Sequence, residues 1–123
     1  MFEQGKNYSR EDIHVICGGN KQSFLPAKNG KIVAACLRPD LNPQAPDVII
    51  CNSGAAARAA GRTLAHQTEA IPVFIEQSAD QLRYVGQYKV TQSLTTQVEC
   101  APHVQGTGFK SSQISRVLKM QRC

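Results

Sequence analysis

The stretch from Gln22 to Pro46 reads QSFLPAKNGKIVAACLRPDLNPQAP, and the rest of the chain is organised around it. At its centre lies a short apolar run of small and β-branched residues, between Asn29-Gly30 and Arg38-Pro39. Such a run between turn signals predicts a buried strand, Lys31 to Leu37, with a loop on either side. Loops held by a rigid scaffold are common binding elements, so both loops are candidates for recognition.

The loop that follows this strand contains three prolines in the eight residues 39–46. Proline fixes its own φ and restricts the residue before it, so the loop is expected to be stiff and to lose little entropy on binding. An ordinary tight connection between strands is an equally weighted interpretation. The residue types predict a polar and apolar recognition surface that comprises Lys21, Gln22, Ser23, Arg38, Asn42, Pro43, Ala45 and Pro46.

The length and charge of the chain limit the possible functions. Its 123 residues suffice for one domain, 1–123, with a modest core. Lys and Arg outnumber Asp and Glu by 14 to 9, which favours an anionic partner. An incidental positive charge on a protein with no such partner is an equally weighted interpretation. No segment has the length of a membrane span, and the polar start lacks the apolar centre of a signal peptide, so we expect a cytosolic protein.

The remaining pattern predicts five or six strands and two helices. Strands are expected at 47–51, 70–76, 81–90, 92–100 and 114–120, as well as at 31–37. One helix should begin at Ser9, with Asp12 completing a capping box, and a second should run over 55–66 with Asn52 or Ser53 as its N-cap. Since strands and helices do not alternate regularly, the prediction is an α+β fold with a mixed, strongly curved sheet.

Arg58, Arg62 and His66 lie four residues apart and therefore share one face of the second predicted helix. That face is positively charged. It is interpreted as the solvated side of the helix, with contact to a phosphate backbone as the alternative.

The chain carries none of the motifs that mark common catalytic sites. It has no nucleophile elbow, zinc-protease helix, dinucleotide fingerprint, phosphate loop or metal-dependent nuclease signature. The five cysteines are an odd number and form no C-x-x-C pair, so they are expected to be reduced and mostly buried. The sequence therefore predicts a binding module rather than an enzyme, with no metal and no cofactor.

Several segments resemble a known family of DNA-reading domains. The matching stretches are YSREDIHVICGG, QSFLP, GKIVAACLRPDLNPQAP, IPVFIE and RYVGQY, which span Tyr8 to Val90. They are similar to the sulfur-binding domain of modification-dependent HNH restriction endonucleases, a relative of the SRA and PUA-like folds. The nuclease part of that family has no counterpart in this sequence, which implies an effector nuclease in a separate domain or subunit.

The resemblance implies a module that recognises phosphorothioated double-stranded DNA in restriction or defence. Sulfur is larger and more weakly hydrated than oxygen, so its recognition requires an apolar notch beside a cation. Pro43, Ala45 and Pro46 next to Arg38 would supply the notch, while Lys21, Gln22 and Ser23 would hold adjacent phosphates or base edges.

Two alternatives remain open. The first is a PUA/SRA-like reader of methylated bases or RNA, which would need an aromatic pocket for an extruded base. The chain has no Trp and only seven Phe and Tyr residues, most of which are needed for the core, so this alternative is less attractive. The second is a protein-interaction domain or small enzyme with an incidental positive charge.

Overall fold

The structure is a computed structural model that describes all residues from 1 to 123. It contains three α-helices, α1 (Arg10–Cys17), α2 (Ala55–Ala65) and α3 (Gln97–Val104), and a 3₁₀ turn at Ser111–Gln113. Its eight strands are β1 (Asn7–Tyr8), β2 (Ala27–Lys28), β3 (Lys31–Ile32), β4 (Ala35–Leu37), β5 (Val48–Asn52), β6 (Ile71–Ser78), β7 (Gln81–Leu94) and β8 (Ile114–Arg122). None of the helices combines the length and the apolar character needed to cross a membrane.

Six strands form one mixed sheet in the order β4-β6-β7-β8-β5, with β1 paired to the start of β7. Strand β4 runs parallel to β6, and the other pairs are antiparallel. Strands β2 and β3 make a separate hairpin. The predicted α+β fold with a mixed sheet is confirmed.

The sheet curves because its strands contain several register shifts. These occur at Val73/Phe74 and Glu76/Ser78 in β6, at Val90/Gln92 in β7 and at Cys51/Asn52 in β5. Bulges of this kind bend a strand and increase its twist. As a result, Leu37 of β4 and Ile49 of β5 share one hydrophobic cluster, although their strands lie at opposite ends of the sheet.

Helices cover both faces of this sheet. Alternate residues of β6 show the division, because Val73 belongs to the largest cluster with Leu64 of α2, and Phe74 belongs to another with Ile13 of α1. A third cluster includes Cys100 of α3. Helix α2 lies close to the sheet at Gly61, where an added Cβ would come within 2.8 Å of the Cys51 sulfur.

The predicted strand at 31–37 is wrong, since the chain is divided there between two sheets. Lys31–Ile32 pairs back onto Ala27–Lys28 through a turn in which Asn29 and Gly30 both have positive φ, the signature of a tight hairpin. Only Ala35–Leu37 joins the main sheet. An apolar run reports burial but not which partner strand its residues meet.

The prediction of a strand over 92–100 and of two helices is also wrong. Strand β7 ends at Leu94, and helix α3 follows, with a capping box between Thr96 and Glu99. That Thr-x-x-Glu pattern was present in the sequence as a helix-start signal. The predicted N-cap of α2 is wrong as well, because Gly54 holds that position and Asn52 accepts a hydrogen bond from its N–H.

Other local predictions are confirmed. Helix α1 begins after Ser9 with the expected capping box to Asp12 and ends at Gly18. The strands β5, β6 and β8 begin and end within two residues of their predicted bounds. Strand β7 begins as predicted and continues four residues beyond Val90. These elements depend on signals within a few residues, which explains why they could be read locally.

Candidate functional site

A cavity of about 770 Å³ lies where the two ends of the curved sheet approach each other. Half of its lining residues are hydrophobic. The walls come from the segment 20–24, from β4 and the loop after it, from the end of β5, and from the first turn of α2. Arg10, Glu76, Asp80, Leu82 and Phe109 complete the lining. The cavity therefore unites segments from almost the whole length of the chain.

The cavity exists because β4 and β5 do not pair with each other. Each has one strand partner, β6 and β8 respectively, and its other edge is bonded by a non-strand group. The main-chain N–H of Cys36 donates to the carbonyl of Phe24, and that of Ile50 donates to Oδ1 of Asn42 at 2.8 Å. Each bond satisfies a main-chain N–H on a strand edge that no neighbouring strand covers.

Two arginines line the cavity, and they differ in their partners. Arg38 forms ion pairs with Asp40, at 2.7 Å, and with Glu76, at 3.6 Å, and its side chain is 59% exposed. Arg10 forms no ion pair. Arg10 is therefore the cavity cation whose charge is not already balanced by a carboxylate.

Arg10 also holds one wall of the cavity in place. Its Nη2 donates to the carbonyls of Asn20 and Ser23, at 2.9 and 2.8 Å. Its Nε is buried without a hydrogen-bond partner, and its main-chain N–H donates to Asp80 at 2.8 Å. The sequence placed Arg10 on a helix but did not mark it as a site residue, since its partners are carbonyls that no side-chain pattern reveals.

Four of the eight predicted site residues line this cavity, namely Gln22, Ser23, Arg38 and Asn42. Asn42 is buried, and its side-chain oxygen accepts the hydrogen bond from Ile50 at the edge of β5. Ser23 stabilises its own loop, since its hydroxyl accepts from the N–H of Leu25. The structure thus brings together one polar set from each of the two loops around β4.

The other four predicted residues lie outside the cavity lining. Lys21 is paired with Glu11 at 2.5 Å, and this hydrogen-bonded ion pair lowers the pKa of the Glu11 carboxyl. Pro43 is exposed near Gly106, and Ala45 packs against the largest core cluster. Pro46 also lies outside, so the predicted notch of Pro43, Ala45 and Pro46 is not part of the cavity lining, to which the loop contributes Leu41 and Asn42 instead.

Aromatic side chains are distributed unevenly between the core and the cavity. Phe2, Tyr8, Phe74 and Tyr84 pack edge-on or tilted in one cluster, and Tyr88 is buried in another. The remaining two, Phe24 and Phe109, line the cavity. The chain has only seven aromatic residues, and two of them line the cavity.

The electrostatics of the cavity combine both signs. The first turn of α2 contains no acidic residue, its N-cap Gly54 offers no side chain, and residues 54–57 line the cavity wall. The positive end of that helix dipole, the two arginines and the carboxylates of Glu76 and Asp80 all belong to the cavity wall. A ligand with both donors and acceptors would find partners here.

The cysteine in the cavity wall is not an activated nucleophile. Burial raises the pKa of the Cys36 thiol to about 11, so it is protonated at neutral pH. All five cysteines are free. No group of three or more His, Cys, Asp or Glu side chains lies close enough to hold a metal ion.

The fold is similar to that of SRA domains. The SRA domain of SUVH5 in complex with hemimethylated CG DNA matches with a TM-score of 0.66 and 12% identity, over 99% of this chain and 89% of that chain. The SUVH5 SRA domain bound to fully hydroxymethylated CG DNA matches with a TM-score of 0.62 and 13% identity, over 98% and 89% of the two chains. The SRA-like fold implied by the sequence resemblance is confirmed.

The sequence itself matches no curated protein. One family model, described as a domain of unknown function, matches residues 7–111. Because this match covers most of the 123 residues, the chain belongs to the family DUF6697.

Proposed function

We propose that this domain is a DNA-binding module that recognises a chemical modification in the cavity between β4 and β5. The observation that carries the proposal is the cavity itself, about 770 Å³ with a mixed apolar and charged lining. Its volume lies within the range of roughly 300–1,000 Å³ that is typical of ligand sites. The SRA domains with a similar fold have been solved with methylated and hydroxymethylated CG DNA, which supports DNA as the partner.

The charge of the chain supports an anionic partner. Of its 14 Lys and Arg residues, only Lys6, Lys21, Lys31 and Arg38 form ion pairs. The unpaired cations give a field that attracts a polyanion and accelerates its encounter. We propose binding without catalysis, with the reaction on the DNA performed by a nuclease domain or subunit.

The geometry best supports a modified base that leaves the duplex and enters the cavity. Extruded bases are read by hydrogen bonds to their polar edge and by stacking on aromatic or apolar side chains. Phe109 is available for stacking, and Phe24, which also packs against the largest core cluster, lines the same cavity. Arg10, Glu76 and Asp80 offer donors and acceptors. The amino-acid composition argued against a reader of methylated bases, but this arrangement of aromatic and polar residues supports one.

Phosphorothioate recognition is the second candidate, and the surroundings of Arg38 favour it. Arg38 lines the cavity together with Leu41, which is half-buried. Leu41, in place of Pro43, Ala45 and Pro46, would form the apolar contact for sulfur. Arg38 would then exchange part of its interaction with Asp40 for the phosphorothioate charge.

Titrations with four matched duplexes test the proposal at near-physiological salt. One is unmodified, and the others carry a single 5-methylcytosine, 5-hydroxymethylcytosine or phosphorothioate. A preference of about tenfold or more, which corresponds to about 1.4 kcal/mol, identifies the recognised modification. Equal binding to all four duplexes would contradict modification reading, and an RNA duplex in the same series tests the RNA alternative.

A further inference from the structure

Helix α2 connects the cavity to a second depression on the surface. Its first turn lines the cavity, whereas Ala65 and His66 near its end line a groove of about 530 Å³ against β7. The helix has 11 residues, so these two sites lie about 16 Å apart along its axis. The groove is therefore distinct from the cavity, although one helix reaches both.

The groove is polar and contains no carboxylate. Eight of its ten lining residues are polar or basic: His66, Gln67, Thr68, Lys89, Thr91, Gln92, Ser93 and Gln121. Lys89 is exposed and forms no ion pair. Amide, hydroxyl and ammonium donors in this combination are the groups that contact phosphate oxygens and sugars in DNA complexes.

A row of basic side chains links the groove to the cavity. Arg58 and Arg62 are exposed, form no ion pair and share a face of α2 with His66. The Nδ1–H of His66 donates to the carbonyl of Arg62 at 2.8 Å, which orients the ring at the end of the row. The row thus follows the helix from one site to the other.

Arg116 adds a further charge beneath this helix. Its Cδ would lie 3.7 Å from a Cβ placed on Gly61, so the side chain runs beside the buried flank of α2. Its Nη1 donates to the hydroxyl of Ser93, which lines the groove. Four cations without an ion pair therefore lie on α2, beside it or in the groove, and the groove lining contains no carboxylate.

We propose that this surface, defined as Arg58, Arg62, Lys89, Arg116 and the groove, is a second DNA-contact surface that follows the phosphate backbone away from the cavity. The inference rests on the proposed function only in its choice of DNA as the polyanion. A length of about 16 Å matches roughly five base pairs at 3.4 Å per step. Contacts to phosphates position a protein without reading bases, so this surface supplies affinity while the cavity supplies selectivity.

The test compares two double variants with the same charge change. Arg62→Gln with Lys89→Gln neutralises the surface, and Lys28→Gln with Arg83→Gln removes two exposed, unpaired cations elsewhere. Each variant and the parent are titrated with unmodified and modified duplexes over a range of salt concentrations. Thermal melting followed by circular dichroism verifies that all three proteins fold.

In the surface variant, the negative slope of log K against log [salt] is expected to become shallower by about 1 to 2, because each lost phosphate contact contributes about 0.9 to its magnitude. Its affinity should fall by the same factor for both duplexes, with an unchanged preference between them. A slope equal to that of the parent, or the same reduction in the control variant, would overturn the inference.

The two proposals fail in different ways. If the parent shows no preference for any modification but the surface variant loses salt slope, the cavity proposal fails and the second surface stands. If the preference is present and the slope does not change, only the second surface fails. A parent that binds no DNA at all overturns both.

Discussion

The side-chain oxygen of Asn42 accepts a hydrogen bond from the main-chain N–H of Ile50 at 2.8 Å. Asn42 is 5% exposed, so this bond is made in the interior, on the edge of β5 that no strand covers. The amide takes the place of a neighbouring strand. This one contact allows β5 to end the sheet and leaves the space beside it open as the cavity.

Asn42→Leu is expected to lower the free energy of unfolding by about 1–3 kcal/mol, because it leaves the buried N–H of Ile50 without a partner. Urea denaturation measures this loss. Asn7→Leu is a matched control, since Asn7 is exposed and its side-chain bond is 3.5 Å long; an equal loss there would contradict the role of Asn42.

Arg10→Met is expected to loosen the cavity wall formed by residues 20–24, because the two hydrogen bonds from Nη2 to Asn20 and Ser23 disappear. Bonds from a charged donor contribute about 1.5–3 kcal/mol each. Hydrogen exchange of the segment should increase, and affinity for the recognised duplex should fall by at least tenfold. Arg10→Lys should restore little, since an ammonium group lacks the planar fork. Unchanged exchange in the Met variant would remove Arg10 from this role.

Arg38→Ala distinguishes the two candidate modifications. Its ion pairs are exposed, so the fold should lose at most about 1 kcal/mol. If sulfur is recognised, the variant should lose the preference for phosphorothioate over phosphate; this prediction fails if both duplexes retain their parental affinities. The comparison uses one duplex sequence with and without the sulfur.

Phe109→Ala provides the complementary test for an extruded base. Stacking of a base on an aromatic side chain contributes about 1–3 kcal/mol, so affinity for the base-modified duplex should fall by roughly 5- to 150-fold. Phe109 is half-buried, and Phe109→Tyr should retain the ring and most of the affinity. A 2-aminopurine opposite the modified base would report the extrusion by fluorescence. No loss of affinity in the Ala variant would place the stacking elsewhere.

The free energy of unfolding should decrease as pH rises above about 9. Burial raises the pKa of Cys36 from 9.0 to about 11 and that of Cys51 from 9.0 to about 12. The unfolded chain then releases protons that the folded chain retains, so the stabilisation present below pH 9 is lost progressively up to those values. Each thiol contributes a slope of about 1.4 kcal/mol per pH unit. Urea denaturation at several pH values should show a shallower decline for Cys36→Ala than for the parent.

Half of the predicted residues line the cavity because their positions depend on neighbours of one strand. Gln22 and Ser23 precede the apolar run, and Arg38 and Asn42 follow it, so a strand at its centre brings both pairs to the same region. The proline loop places Pro43, Ala45 and Pro46 outside the cavity lining. Its composition indicates stiffness, but the sequence does not show which way a stiff loop faces.

Local sequence by itself determined helix α1 with its capping box, most of the strand positions and the basic charge, because those features depend on residues within a few positions of one another. Tertiary structure alone decided that β4 and β5 meet without pairing, that Arg10 supports the wall at Ser23, and that Phe109 reaches the cavity. The physical reason is the curvature of the sheet. Register shifts spread over three strands set it, and they bring together segments from positions 10 to 109 that no local pattern connects.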